Sequence, residues 1–166
     1  MKEFRIMSRQ DAHRYSFENI NKKTVIISIT DVFSENNTFN AQPNIIGICR
    51  VKFDDVEKNE KNCITVEDAK KIIDFVVSHD SAEMVIVHCE AGISRSAGVC
   101  AALMWIFNGS DMEVFDNPRY CPNMTVYRTI LNTYMDAQNT FAVSEEDIKY
   151  KESHNIKIWK KYNDLD

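Results

Sequence analysis

Apolar residues follow two rhythms along this chain. Three short runs are nearly continuous: Thr24-Val25-Ile26-Ile27-Ser28-Ile29, Ile45 to Phe53 (IIGICRVKF) and Met84 to Val87 (MVIV). They are rich in β-branched residues and flanked by polar ones, which predicts strands, the last one central. Elsewhere the apolar positions recur every three or four residues. Ala69, Ile72, Ile73 and Val76 form one buried stripe. Thr65 opens that helix, and Asp68, three residues on, resembles a capping box. Ser96 to Phe107 reads as a largely buried helix. Its small residues Ala97, Gly98, Ala101 and Ala102 let it lie close to a sheet, and Asn108-Gly109 ends it. A further helix is predicted over Met124 to Ala137. Ser34 to Pro43 and Asp54 to Asn62 are polar and charged loops. Strands interleaved with helices predict an α/β fold, with a central mixed, mostly parallel sheet flanked by helices.

The 166 residues fit one domain, and 44% hydrophobic residues suffice for a core. Residues 1–143 are read as that domain. Residues 144–166 mix charges with Ile148, Ile156, Ile158, Trp159 and Tyr162, as expected of a packed helix or a tail of the same domain. Net charge is −5, which favours neither nucleic acid nor an anionic membrane as partner. The first 16 residues lack a signal-peptide core, and Ala97 to Phe107 is too short to span a bilayer. Five cysteines (Cys49, Cys63, Cys89, Cys100, Cys121) cannot all pair and show no CxxC spacing. Free thiols in a cytoplasmic monomer without metal or cofactor are the expectation.

One segment carries chemistry: Val87-His88-Cys89-Glu90-Ala91-Gly92-Ile93-Ser94-Arg95-Ser96. A cysteine and an arginine separated by five residues are common by chance. Here a buried strand precedes them, a small-residue helix follows, and a glycine lies between. A chain that leaves a strand, curls tightly and enters a helix presents successive N–H groups to an anion. Gly92 permits the curl. Arg95 offers a planar fork for two phosphate oxygens. The same dipoles favour a thiolate at Cys89, ready to attack phosphorus. The Ser96 hydroxyl is placed to bond that sulfur, and His88 to orient the loop. Cys49, Cys63, Cys100 and Cys121 have no Arg six positions on and read as packing residues.

The string HCEAGISRS resembles the active-site signature of the cysteine-dependent protein tyrosine phosphatases, most of all their compact dual-specificity branch. The resemblance spans roughly Val25 to Ala137. It implies a phosphocysteine intermediate, no cofactor and phosphoprotein substrates. It makes Cys89 the nucleophile, Arg95 the phosphate ligand and Ser96 the hydroxyl that eases sulfur departure. Glu90, Ala91, Gly92, Ile93 and Ser94 become the phosphate-binding loop. It also puts a general acid at a strand end a few tens of residues before the cysteine. Asp54 and Asp55 compete there. The family pattern of an apolar residue, one variable residue and then Asp maps onto Phe53, Asp54 and Asp55 and favours Asp55. Asn117-Pro118 and Asn123 correspond to a stretch that packs near the phosphate loop.

The loop contains Glu90 and no lysine, which disfavours polyphosphorylated lipid headgroups. Phosphotyrosine comes first as substrate, with phosphoserine and phosphothreonine next. No aromatic recognition loop is identifiable, so the resemblance implies a shallow dual-specificity pocket. Two other readings compete: a phosphate-reading interaction module, and a different cysteine chemistry such as sulfur transfer or arsenate reduction.

Overall fold

The computed structural model describes residues 1–140 and 143–165. Four strands form one sheet in the order β1-β4-β2-β3: β1 (Glu3–Met7), β2 (Thr24–Thr30), β3 (Ile45–Lys52) and β4 (Met84–His88). All their pairings are parallel. The crossovers carry α1 (Arg9–Tyr15) and α2 (Val66–Ser78), and α3 (Arg95–Asn108), α4 (Met112–Phe115), α5 (Met124–Ala137) and α6 (Glu145–Tyr162) follow the last strand.

Alternation along the central strands sorts side chains between two layers. Val25, Ile27 and Ile29 of β2 and Val85 and Val87 of β4 face the main core, beneath α2, α3 and α5. Ile26, Met84 and Ile86 face the other side, where Tyr15 of α1 and Phe39 of the loop after β2 cover them. All seven residues of β2 are buried, so no face of this strand meets water.

The helices begin and end for local reasons. Thr65 and Asp68 complete a reciprocal capping box ahead of α2. Gly109 closes α3 with φ +79°, a left-handed conformation that glycine adopts without a Cβ penalty. Asn123 caps α5 by accepting from the Val126 amide at 3.1 Å.

Strand β1 and helix α1 lie where the sequence analysis predicts no element. Phe4 and Ile6 do alternate with Glu3 and Arg5, but β1 is a five-residue edge strand that is only half-buried. It pairs in parallel with β4 from Glu3 to Met7 and itself forms the edge of the sheet. The parallel topology has one further effect. The carboxyl ends of all four strands lie together, so Ser8, Asp31, Phe53 and Cys89 come to one rim, where ligands of open α/β sheets collect.

Candidate active site

Strand β4 ends at His88, and Cys89 follows, only 2% exposed. The chain then turns through Glu90 to Ser94 and enters α3 at Arg95. Gly92 takes φ +71°, and a Cβ there would sit 2.6 Å from the Met7 carbonyl carbon and the Ser8 nitrogen. The loop is thus pressed against the β1–α1 junction, with room only for hydrogen.

Three neighbours hold the carbonyls of this loop. Glu90 accepts from the Arg9 amide at 3.1 Å, Ile93 from the Cys121 amide at 3.0 Å, and Ser94 from the Asn123 amide at 3.0 Å. A trans peptide points its N–H opposite its C=O, so the amides of Ala91, Ser94 and Arg95 face away from those tethers. The amides of Glu90 to Ser94 make no hydrogen bond among the described residues. Ser94 stands at the N-cap of α3 yet makes no side-chain cap bond. Its hydroxyl donates to Asp55 Oδ1 at 2.8 Å instead, which leaves the first-turn amides to a ligand. Five free amides and a helix start make an anion nest.

Arg95 is 5% exposed. Its Nη1 donates to Asp31 Oδ1 at 2.6 Å and to the Phe53 carbonyl at 2.8 Å. Its Nε is buried with no partner. An orphaned guanidinium N–H is costly unless an oxyanion meets it. The Ser96 Oγ lies 3.1 Å from Cys89 Sγ, and Ser96 is itself fully buried.

His88 fixes the strand end. Its Nδ1 lies 3.1 Å from the Cys89 carbonyl, which can only accept, so Nδ1 carries the proton. Nε2 then accepts from Ser28 Oγ at 2.6 Å and faces the Asn37 amide at 3.4 Å. Burial, the largest cause, lowers the His88 pKa to about 4, and nearby Arg9, Arg50 and Arg95 add to it. The imidazole is neutral near pH 7 and acts as a two-ended tie between β2 and the loop.

The adjacent aspartates differ sharply. Asp54 accepts from the Val32 amide at 3.0 Å and from Asn62 Nδ2 at 3.0 Å. The Val32 bond first, then the Asn62 bond, hold its carboxyl below the usual range. Asp55 Oδ1 accepts from Ser94 Oγ and, at 2.9 Å, from Asn123 Nδ2, which brings this carboxylate beside the loop. A pocket of about 500 Å³ opens there, bordered by Asp55, Ser94, Cys121, Asn123, Arg128 and Glu152. A second, of about 570 Å³, lies on the Glu90 side with Arg9, His13 and Glu35.

Cys49 and Cys100 are buried, whereas Cys63 and Cys121 are half-buried. Among the described residues, no three His, Cys, Asp or Glu side chains converge as metal ligands. No described helix is long and apolar enough to cross a membrane. Sequence reasoning missed Asp31. Its one available signal was its place directly after β2, at the carboxyl end of a parallel strand.

A family model described as dual specificity phosphatase, catalytic domain, matches residues 6–134. Among solved structures, the chain is similar to the human tyrosine phosphatase-like serine/threonine/tyrosine-interacting protein, with 18% identity and a TM-score of 0.55, over 82% of this chain and 92% of that one. It is also similar to a point variant of human DUSP28, with 18% identity and a TM-score of 0.50, over 82% of this chain and 92% of that one. At such identities these likenesses show a shared fold. A search of curated proteins finds no match. With the family model spanning most of the chain, from β1 through α5, the protein belongs to the dual specificity phosphatases and is a cysteine-based phosphatase.

Proposed function

We propose that the protein hydrolyses phosphate monoesters of proteins, phosphotyrosine first, with Cys89 as nucleophile, Arg95 as phosphate ligand and Asp55 as general acid and base. The observation that carries this reading is the run of unpaired amides from Glu90 to Ser94 between a buried thiol and the orphaned Nε of Arg95 in sequence. That set of donors matches a phosphate dianion and has no protein acceptor to satisfy it.

In the first step the Cys89 thiolate attacks phosphorus, the S–P bond forms and the ester P–O bond breaks. Glu90, Ala91, Gly92, Ile93 and Ser94 supply amides to the equatorial oxygens, and Arg95 grips two of them. Asp55 Oδ1 is engaged by Ser94 and Asn123, which leaves Oδ2 to carry the proton to the leaving oxygen. In the second step Asp55 takes a proton from water, the new P–O bond forms and sulfur departs. The Ser96 hydroxyl, 3.1 Å away, stabilises the departing thiolate. Asp54 is a poor acid because both of its oxygens are taken, one by the Val32 amide and the other by Asn62.

Two features support a protein substrate carrying an aryl phosphate. Glu90 stands exposed on the rim and repels polyphosphorylated headgroups. Phe33 is 87% exposed in the turn Asp31–Ser34, closed by the Ser34 amide on the Asp31 carbonyl. Asp31 of that turn pairs with Arg95, so the turn that carries this exposed aromatic residue is tied to the phosphate ligand. The domain 1–143 and its extension 144–166, which carries α6, are proposed to act as one catalytic unit in the cytoplasm.

The test is turnover on phosphotyrosine, phosphothreonine and phosphoinositide substrates without added metal, with Cys89→Ser as control. Phosphotyrosine should turn over fastest, and Cys89→Ser should abolish all activity. Activity that survives in Cys89→Ser overturns the mechanism, and faster phosphoinositide turnover overturns the substrate class. Tight phosphopeptide binding with no turnover would make the protein a reading module instead.

A further inference from the structure

We propose that α6 belongs to the catalytic apparatus, with Asn155 as a positioning residue that sets the segment Tyr120 to Asn123 and, through it, the Asp55 carboxylate. The proposal rests on the reading of Asp55 as the acid. Helix α6 lies wholly beyond residue 134, where the match to the family model ends.

Most of α6 is exposed, and its only described buried residues are Ile148 and Asn155. An apolar residue could fill the Asn155 position at lower cost in desolvation, so a buried amide there points to bonds it must make. Asn155 Nδ2 donates to the Tyr120 carbonyl at 2.9 Å and to the Phe115 carbonyl at 3.3 Å. Between α4 and α5 the chain from Cys121 to Asn123 has no regular secondary structure, so ties from outside hold it.

Those ties lead straight to the site. Cys121, next after Tyr120, donates its amide to Ile93 at 3.0 Å, and Asn123 donates its amide to Ser94 at 3.0 Å. The Asn123 side chain donates to Asp55 Oδ1 at 2.9 Å and to the Val56 carbonyl at 3.1 Å. Glu152, three residues before Asn155 on α6, borders the same pocket as Asp55 and Ser94. The helix is thus in line with the acid through one short segment. Proton transfer depends steeply on placement, so slack at Tyr120 reaches the reaction as a misplaced Asp55.

The step concerned is the first one: the S–P bond forms, the P–O bond breaks and a proton passes from Asp55 to the leaving oxygen. A leaving group that departs readily as an anion needs this proton little, whereas phenol needs it greatly. The experiment compares kcat/KM of full-length wild type, Asn155→Ala, Asp55→Ala and the double variant, on phenyl phosphate and on an aryl phosphate with a far more acidic phenol. Melting curves fix an assay temperature at which every variant is folded. The Lys151–Asp111 ion pair and Ile148 remain to hold α6 in Asn155→Ala. Should that variant not fold, Asn155→Ser, which keeps one donor, takes its place.

Asn155→Ala should lose about 10-fold on phenyl phosphate, part of the 10²- to 10⁴-fold that general acid catalysis supplies, and much less on the acidic leaving group. In an Asp55→Ala background the same substitution should change nothing further, because both act on one proton. Equal losses on both substrates, or full additivity with Asp55→Ala, overturn the proposal. A steeper leaving-group dependence in Asn155→Ala but not in Asp55→Ala would instead overturn the assignment of the acid.

Discussion

Asp54 and Asp55 are neighbours in sequence with opposite surroundings. The first is fully used by Val32 and Asn62, and the second is drawn to the loop by Ser94 and Asn123. Asp55→Ala should lower kcat/KM on phenyl phosphate by about 10²- to 10⁴-fold while leaving phosphate affinity intact. Asp54→Ala should leave turnover nearly unchanged and lower the melting temperature, since the Val32 amide loses its acceptor. A slow Asp54→Ala enzyme beside a fast Asp55→Ala one reverses the assignment. His88 adds a pH dependence. Its folded pKa of about 4 lies below the unfolded value of about 6.5, so below pH 6.5 the unfolded chain takes up a proton that the folded one refuses. Stability is complete above pH 6.5 and falls as pH drops from there to about 4, by on the order of 3 kcal/mol. Urea titrations across that range should show the loss, and His88→Gln should flatten it.

Two glycines with similar backbone angles separate the demands of an element from those of a ligand site. Gly92 has φ +71° and no space for a Cβ, while Gly109 has φ +79° and nothing within 4 Å. Gly109→Ala should therefore cost about 1 to 2 kcal/mol of left-handed strain and leave phosphate binding alone. Gly92→Ala meets the same strain and also drives a methyl into the Met7–Ser8 backbone at the β1–α1 junction, which the pairing of Met7 with His88 holds in place. The loop must move instead, so the nest opens. Calorimetric titration with inorganic phosphate should show affinity lost in Gly92→Ala and kept in Gly109→Ala. Equal affinities in the two variants would mean that the loop tolerates displacement.

Across the whole molecule, α6 is fastened to the core by a buried polar cluster. Lys151 Nζ donates to Asp111 Oδ2 at 2.8 Å and to the Tyr127 hydroxyl at 3.1 Å, and Tyr127 donates to the same carboxylate. Asp111 is 2% exposed, so its charge depends on these partners. Burial, and then the Asp111 bond, push the Tyr127 hydroxyl far above its ordinary pKa and keep it a donor. Asp111→Ala leaves the Lys151 charge and the Tyr127 hydroxyl without their acceptor. It should cost about 3 to 5 kcal/mol, the penalty for breaking a buried pair from one side. Replacing both partners, with Asp111→Leu and Lys151→Met, should recover much of it. Urea unfolding of the three proteins measures both effects. A single variant as stable as wild type would show that α6 is held by Ile148 and Asn155 alone.

The local code was enough for the strands β2, β3 and β4, the helices α2, α3 and α5, and the signature Cys89 to Ser96. Each of these is a repeat of short period or a run of adjacent residues, and both are visible along one dimension. The half-buried edge strand β1 escaped because its pairing with β4 is a matter of partners far away in sequence. The tertiary structure alone decided how Asp31, Asp55, Asn123 and Asn155 stand to the phosphate loop. The four lie in separate segments, and only the parallel sheet order, which gathers strand ends at one rim, and the docking of α6 bring them to it. A hydrogen bond or ion pair acts over about 3 Å in space and leaves no period in the chain, so its members can be named only once the fold has placed them.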